Sequence, residues 1–108
     1  MNMENVNLII EWYRGHCPNT GVYATVNQEP YEPLVIALQG DELQVGYRWE
    51  QNGKLVPDPL IVIKLKEQTG RVTTMFWSGS DDLYIHHFLG EVAGRLKRLD
   101  ESDKIEWK

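Results

Sequence analysis

The chain has 108 residues, 42% hydrophobic and 25% charged, a size and composition that predict one globular domain over residues 1–108. A net charge of −5 argues against general DNA binding, because an acidic protein gains little from releasing DNA counterions. No apolar run approaches the roughly 20 residues of a membrane span, the N-terminus is polar, and the single cysteine, Cys17, excludes an internal disulfide. We therefore expect a cytoplasmic protein without membrane contact.

The first predicted element is a helix over Met3–Arg14, whose apolar residues recur at helical spacing. Asn2 is a candidate N-cap, and Gly15 is expected to end the helix. Leu8 and Trp12 lie one turn apart on a second arc of the same helix. They form either a wider buried face or an exposed apolar pair.

Five β-prone runs follow, separated by turn residues. The runs are Gly21–Asn27, Leu34–Gln39, Glu42–Gln51, Lys54–Lys66 and Arg71–Trp77. Leu34–Gln39 is apolar on both faces, which is typical of a central strand. Asn52-Gly53 suits a two-residue type I′ turn that pairs Gln51 with Lys54 and joins the third and fourth runs into a hairpin.

The returning strand of this hairpin contains two apolar sets of opposite parity. In the register set by the turn, Val56 lies on the same face as Trp49. Ile61, Ile63 and Leu65 are each an odd number of residues from Val56, so in a regular strand they would point to the opposite face. Because strand side chains alternate with a period of two, a bulge or break at Pro57–Pro59 has to shift the register by one residue.

A second helix is predicted to start at Ser80 or Asp81, either of which suits the N-cap, and its broad apolar arc begins at Tyr84. After it, Ile105 and Trp107 either add a short strand or pack loosely. The order is α-β-β-β-β-β-α, and short turns between strands favour an antiparallel sheet covered on one face by both helices. We predict a two-layer α+β domain with about five strands.

No residue pattern indicates catalysis or a cofactor. His86 and His87 are adjacent on a helix and diverge by about 100°, so they do not suit one metal ion, even with help from His16 and Cys17. A nucleophilic Cys17 with His86 or His87 as the base and Asp81 or Asp82 as the orienting acid is also disfavoured, because the C-terminal end of a helix does not stabilise a thiolate. The sequence therefore favours a non-enzymatic protein without metal or cofactor.

Two surfaces are candidate interaction sites, together with the Leu8 and Trp12 pair. The sheet face away from the helices is expected to gather the basic and aromatic residues Arg48, Lys64, Lys66, Arg71 and Trp77. The second surface is a groove without side chains at Gly90 and Gly94 of the last helix, where another backbone can approach, within the domain or from a partner chain.

The segment over residues 46–62, GYRWEQNGKLVPDPLIV, resembles a family of small bacterial domains of unknown function. In that family a strand runs into an N-G-x-L-x-x-D-P turn and then into an apolar strand, and the genes often lie on plasmids and other mobile elements. The resemblance implies the hairpin and a bacterial cytoplasmic setting. It implies no established activity, substrate or site residue.

We expect a small protein-interaction or self-associating module. Four tryptophans and five tyrosines occur in an acidic domain without a catalytic pattern, and aromatic residues are enriched at protein interfaces. The alternative is single-stranded nucleic-acid binding on the basic sheet face, which the net charge makes the less favoured partner.

Overall fold

The computed structural model describes residues 3–18, 23–51, 54–78 and 81–108, which form two helices and a six-stranded antiparallel sheet. The elements in chain order are α1 (Glu4–His16), β1 (Tyr23–Asn27), β2 (Leu34–Gln39), β3 (Glu42–Gln51), β4 (Lys54–Gln68), β5 (Arg71–Phe76), α2 (Asp82–Lys97) and β6 (Lys104–Trp107). Their order across the sheet is β5-β4-β3-β2-β1-β6. The predicted α+β class with an antiparallel sheet is confirmed, with six strands rather than about five. No helix of the described ranges is long and apolar enough to cross a membrane.

The sixth strand is β6, which forms from the polar tail. It pairs antiparallel with β1, and the backbones of Tyr23 and Lys108 exchange two hydrogen bonds of 2.9 and 3.0 Å at its end. Trp107 packs towards α1, where its ring stacks on Trp12 at 6.0 Å and meets the edge of Tyr13 at 5.4 Å. Of the two alternatives for the tail, the structure therefore shows the strand.

The β3–β4 hairpin contains the register shift that its sequence requires. Gln51 pairs with Lys54 towards the tip, whereas Gly46 pairs with Leu60 further along. Between these two pairs β4 holds one residue more than β3, which is the geometry of a bulge. The shift predicted at Pro57–Pro59 is confirmed.

The two helices differ in their N-caps, because Met3 at the start of α1 makes no side-chain capping hydrogen bond whereas Asp81 at the start of α2 does. Asn2 and Asn52-Gly53, predicted as N-cap and turn, lie outside the described residues, and the N-cap of α1 is Met3. Asp81 is the N-cap of α2, and its carboxylate accepts a 2.7 Å hydrogen bond from the backbone N–H of Tyr84.

A second register shift lies in β5, and the sequence analysis missed it. Opposite Lys66 and Glu67 of β4, strand β5 holds three residues rather than two, with Thr73 in the middle. Regular alternation along Arg71–Trp77 predicts that Val72 and Phe76 lie on the same face, and the structure shows that this prediction is wrong. Val72 is buried under α1, whereas Phe76 is 52% exposed on the other side, because an extra residue turns the following side chains to the opposite face.

One hydrophobic core lies between the helices and one face of the sheet. Strand alternation predicts that seven side chains face this core: Leu43, Val45, Tyr47, Trp49, Ile61, Ile63 and Leu65. Five of them are buried and Tyr47 is half-buried, while the side chain of Trp49 lies outside the described part of the structure. The helices contribute Val6, Ile9, Ile10 and Tyr13 from α1 and Ile85, Phe88, Leu89, Val92 and Leu96 from α2. Lys64 and Lys66 are exposed on the opposite face, as predicted.

Asn7 joins α1 to β5, an edge strand of the described sheet. Its side-chain Nδ2 donates a 3.2 Å hydrogen bond to the Val72 carbonyl, and its Oδ1 accepts a 2.8 Å bond from the Val72 N–H. Asn7 is itself buried. One side-chain amide thus satisfies the two backbone groups that a neighbouring strand would otherwise occupy.

We predict that Asn7→Ala lowers the free energy of unfolding by about 1–3 kcal/mol, because it leaves the buried Val72 N–H and C=O without their partner. Urea denaturation followed by tryptophan fluorescence measures the change. Asn5→Ala, at an exposed position of the same helix, is the matched control and should lose much less. Equal losses in the two variants would contradict the role of Asn7.

Candidate functional site

The basic residues predicted on one sheet face are not gathered there. Lys64 and Lys66 are exposed on that face. Arg71, at the start of the edge strand, instead reaches α1, where its Nη1 lies 3.8 Å from Oε1 of Glu11. The side chain of Arg48 lies outside the described part of the structure. The described residues therefore place only two of the four predicted cations together.

Trp77 also leaves the predicted basic surface. It is half-buried, packs against the hydrophobic core and meets the ring of His86 edge-on at 5.8 Å. The physical reason is the extra residue Thr73, which exchanges the faces expected for Phe76 and Trp77.

Leu8 and Trp12 contribute to packing within the domain. Both are half-buried against the core, and Trp12 is stacked between the rings of Trp107 at 6.0 Å and His16 at 5.0 Å. Of the two alternatives for this pair, the structure favours the wider buried face.

Gly90 and Gly94 do not form one groove. A Cβ added to Gly90 would lie 3.5 Å from Nδ2 of Asn5, so this glycine faces α1 inside the domain. A Cβ added to Gly94 would lie 3.4 Å from Nη1 of Arg98. Gly94 thus leaves room for the Arg98 guanidinium rather than for a partner backbone.

The histidines and the cysteine make separate local contacts. His87 Nε2 lies 2.8 Å from Oε1 of Glu91, and His16 Nδ1 lies 2.7 Å from the Trp12 carbonyl. The Cys17 thiol donates a 3.4 Å hydrogen bond to the Pro18 carbonyl. Within the described ranges, no group of three or more His, Cys, Asp or Glu side chains is placed to hold a metal ion.

Exposed Phe76, the last residue of β5, and half-buried Trp77, the residue after it, both line two neighbouring shallow hollows, and we call this pair the Phe76–Trp77 ridge. The hollow of about 320 Å³ is lined by the ridge with Val62, Lys64 and Ser78. The hollow of about 270 Å³ is lined by the ridge with Met75 and Asp82. Val62 is 40% exposed, and Lys66 Nζ lies 5.6 Å from the centre of the Phe76 ring. One hollow beside the ridge therefore contains a cation and the other a carboxylate.

Arg95 of α2 is a buried cation that the sequence analysis missed. It is only 2% exposed, and its Nε donates a 3.1 Å hydrogen bond to Oε1 of Gln28. Gln28 Nε2 in turn donates to the Arg95 carbonyl at 3.2 Å. The guanidinium carbon lies 5.2 Å from the Tyr31 ring centre and 5.7 Å from that of Tyr47. On the helical wheel Arg95 falls about 20° from Phe88, within the apolar arc, and this signal indicated burial.

Burial shifts the pKa values of both Arg95 and its neighbour Tyr47. Loss of solvent lowers the pKa of Arg95, and the neighbouring Tyr47 and Tyr31 partly offset that change. Burial also raises the pKa of Tyr47, with a further contribution from the negative charge of Glu91. The arginine is held in an environment that disfavours an isolated charge.

A pocket of about 360 Å³ opens beside this arginine. It is lined by Tyr31, Tyr47, Glu91, Arg95 and Arg98. The Glu91 carboxylate accepts a 3.4 Å hydrogen bond from the Tyr47 hydroxyl, and the exposed Arg98 guanidinium lies 6.0 Å from the Tyr31 ring centre. The pocket thus combines two cations, one engaged carboxylate and two phenol rings.

Comparisons with protein-family models, curated proteins and solved structures found no match for this chain. The resemblance of the hairpin to a bacterial domain family stays a prediction.

We predict that the stability of the protein falls in alkali partly through Tyr47. Its folded-state pKa is raised above 10.0, so its stabilising contribution is present below that pH and is lost as the pH rises through the folded-state pKa. Urea unfolding at pH values from neutral to about 11 measures the slope of the free energy of unfolding against pH. Tyr47→Phe should flatten it, while Tyr13, whose pKa burial also raises, keeps its share. An unchanged slope in Tyr47→Phe would contradict the assignment.

Proposed function

We propose that the chain is a small non-enzymatic interaction module that associates with a second copy of itself through the Phe76–Trp77 ridge. The observation that carries this proposal is the exposed ring of Phe76, with half-buried Trp77 beside it, next to one hollow lined by Lys64 and another lined by Asp82. Exposed apolar surface rimmed by polar residues is typical of protein contact sites.

The charges favour a second copy as the partner. In a two-fold symmetric contact, residue i of one chain meets residue j of the other, and j meets i. One hollow beside the ridge is lined by Lys64 and the other by Asp82. In the proposed dimer, the two-fold axis passes through the ridge, so that Lys64 of each chain pairs with Asp82 of the other. The surface is thus complementary to itself.

The backbone of β5 adds to this argument. Asn7 occupies the edge of the strand at Val72, but no described strand lies beside Thr73–Phe76 on that side. An unpaired strand edge offers hydrogen-bonding groups to another chain. Two such edges beside the ridge can pair antiparallel about the same axis.

The setting of the proposal is a bacterial cytoplasm, as the single cysteine and the hairpin pattern suggest. Single-stranded nucleic acid is the less favoured partner. Lys64 pairs across the sheet with Glu42, and Lys66 lies over the Phe76 ring. Both neighbours reduce the positive electrostatic potential that this sheet face offers to a phosphate backbone.

We predict that the protein elutes as a dimer and that Phe76→Ser weakens the dimer about tenfold or more, because it removes an apolar anchor at the centre of the contact. Size-exclusion chromatography with light scattering over a dilution series measures this change. Phe76 is 52% exposed, so the variant should keep its fold. A wild-type monomer at every concentration would reject the proposal.

Charge reversal supplies a sharper test. Lys64→Glu and Asp82→Lys should each weaken self-association several-fold, since each places like charges together twice. A mixture of the two variants should form a heterodimer in which both pairs are restored. Lys104→Glu, an exposed change on β6, is the matched control. If the mixture associates no better than either variant alone, the Lys64–Asp82 pairing is wrong.

A further inference from the structure

We infer that the Arg95 pocket binds the carboxylate group of a small ligand. The site is separate from the Phe76–Trp77 ridge, and the inference does not depend on self-association. It rests on a buried guanidinium whose hydrogen-bonding capacity is only partly used.

The two terminal nitrogens of Arg95 carry the argument. Nε is satisfied by Gln28, and the Tyr47 hydroxyl is a neighbouring polar group whose interaction partly offsets the lowering of the Arg95 pKa by burial. Within 3.5 Å, however, neither Nη1 nor Nη2 has a hydrogen-bond partner among the described residues, and both atoms are buried. No described carboxylate forms an ion pair with Arg95. A buried charge without a counter-ion is costly, and an anion at these nitrogens would offset that cost.

The shape of the slot selects a planar anion. Tyr31 and Tyr47 lie 5.2 and 5.7 Å from the guanidinium carbon, so their rings occupy its surroundings, while Gln28 holds the Nε edge. The edge formed by Nη1 and Nη2 remains, and a carboxylate can accept two parallel hydrogen bonds there within one plane. A tetrahedral phosphate would bring additional oxygens against the rings.

The charge of the pocket favours a single negative charge on the ligand. Arg98 is exposed beside Tyr31 and can attract an anion. Glu91, paired with His87 at 2.8 Å, adds negative charge to the lining and opposes a dianion. A monocarboxylate therefore fits better than phosphate or sulfate.

Entry requires a side chain to move. Tyr31 lies in the connection between β1 and β2 and is 48% exposed, so rotation of its ring uncovers one side of Arg95 without disturbing the sheet. We assign to Tyr31 the role of a cover over the site.

The test is a titration of the full chain with benzoate, followed by NMR of ¹⁵N-labelled arginine side chains and backbone amides. Benzamide is the matched neutral probe, and phosphate and chloride at equal ionic strength control for non-specific anion effects. We expect saturable shifts with benzoate at the Arg95 guanidinium and around Tyr31 and Glu91, and none of comparable affinity with benzamide or phosphate. Equal responses to benzoate and benzamide, or shifts that map elsewhere, would overturn the inference.

Variants separate binding from folding. Arg95→Met should weaken benzoate binding about tenfold or more. Because that change is in the core, Arg98→Met at an exposed position is the second variant and should weaken binding several-fold. Lys97→Met is its control, since Lys97 lines a hollow with Glu4 and Glu11 on another face. Unchanged affinity in Arg95→Met, or an equal loss in the Arg98 and Lys97 variants, would refute the site.

A carboxylate can belong to a free small acid or to the C-terminus of a peptide. Short peptides with free and with amidated C-termini distinguish these sources. Tighter binding of the free-acid peptide than of benzoate would assign the site to chain ends, and the reverse would assign it to small acids. Both results support carboxylate recognition.

Discussion

The two-residue period of β-strands is the constraint on which the rest of this structure depends. β4 runs for 15 residues, and without its register shift the alternate residues Ile61 and Ile63 would point away from the helices. Burial of each such side chain is worth about 1.5–3 kcal/mol. The shift at Pro57–Pro59 therefore lets one long strand serve both the hairpin tip and the core, and it gives α1 and α2 a continuous apolar surface to cover.

The same constraint explains which parts of the fold the sequence could predict. The shift in β4 was predictable because prolines mark it and because apolar residues of opposite parity lie on its two sides. The shift in β5 was not, because Thr73 and Thr74 have no strong preference for either face and no glycine or proline stands there. A change of one residue at that point moved Trp77 towards the core and exposed Phe76.

The Arg95 pocket shows a different limit. Helical periodicity alone places Arg95 within the apolar arc of α2, so its burial could have been predicted from the sequence. Its neighbours could not, because Gln28 lies 67 residues away along the chain, and Tyr31 and Tyr47 come from a loop and from β3. Contacts between distant segments depend on sheet order, which no local pattern in this chain specifies.

The amide of Asn7 also bears on aggregation. It blocks β5 at Val72 and leaves Thr73–Phe76 as the open stretch, which is shorter than the six or seven residues that typically stack into amyloid-like fibrils. If α1 separated from the sheet, all six residues of β5 would be available to other chains. Docking of the N-terminal helix therefore controls the length of free strand edge, and any condition that loosens this helix exposes a longer template for fibril growth.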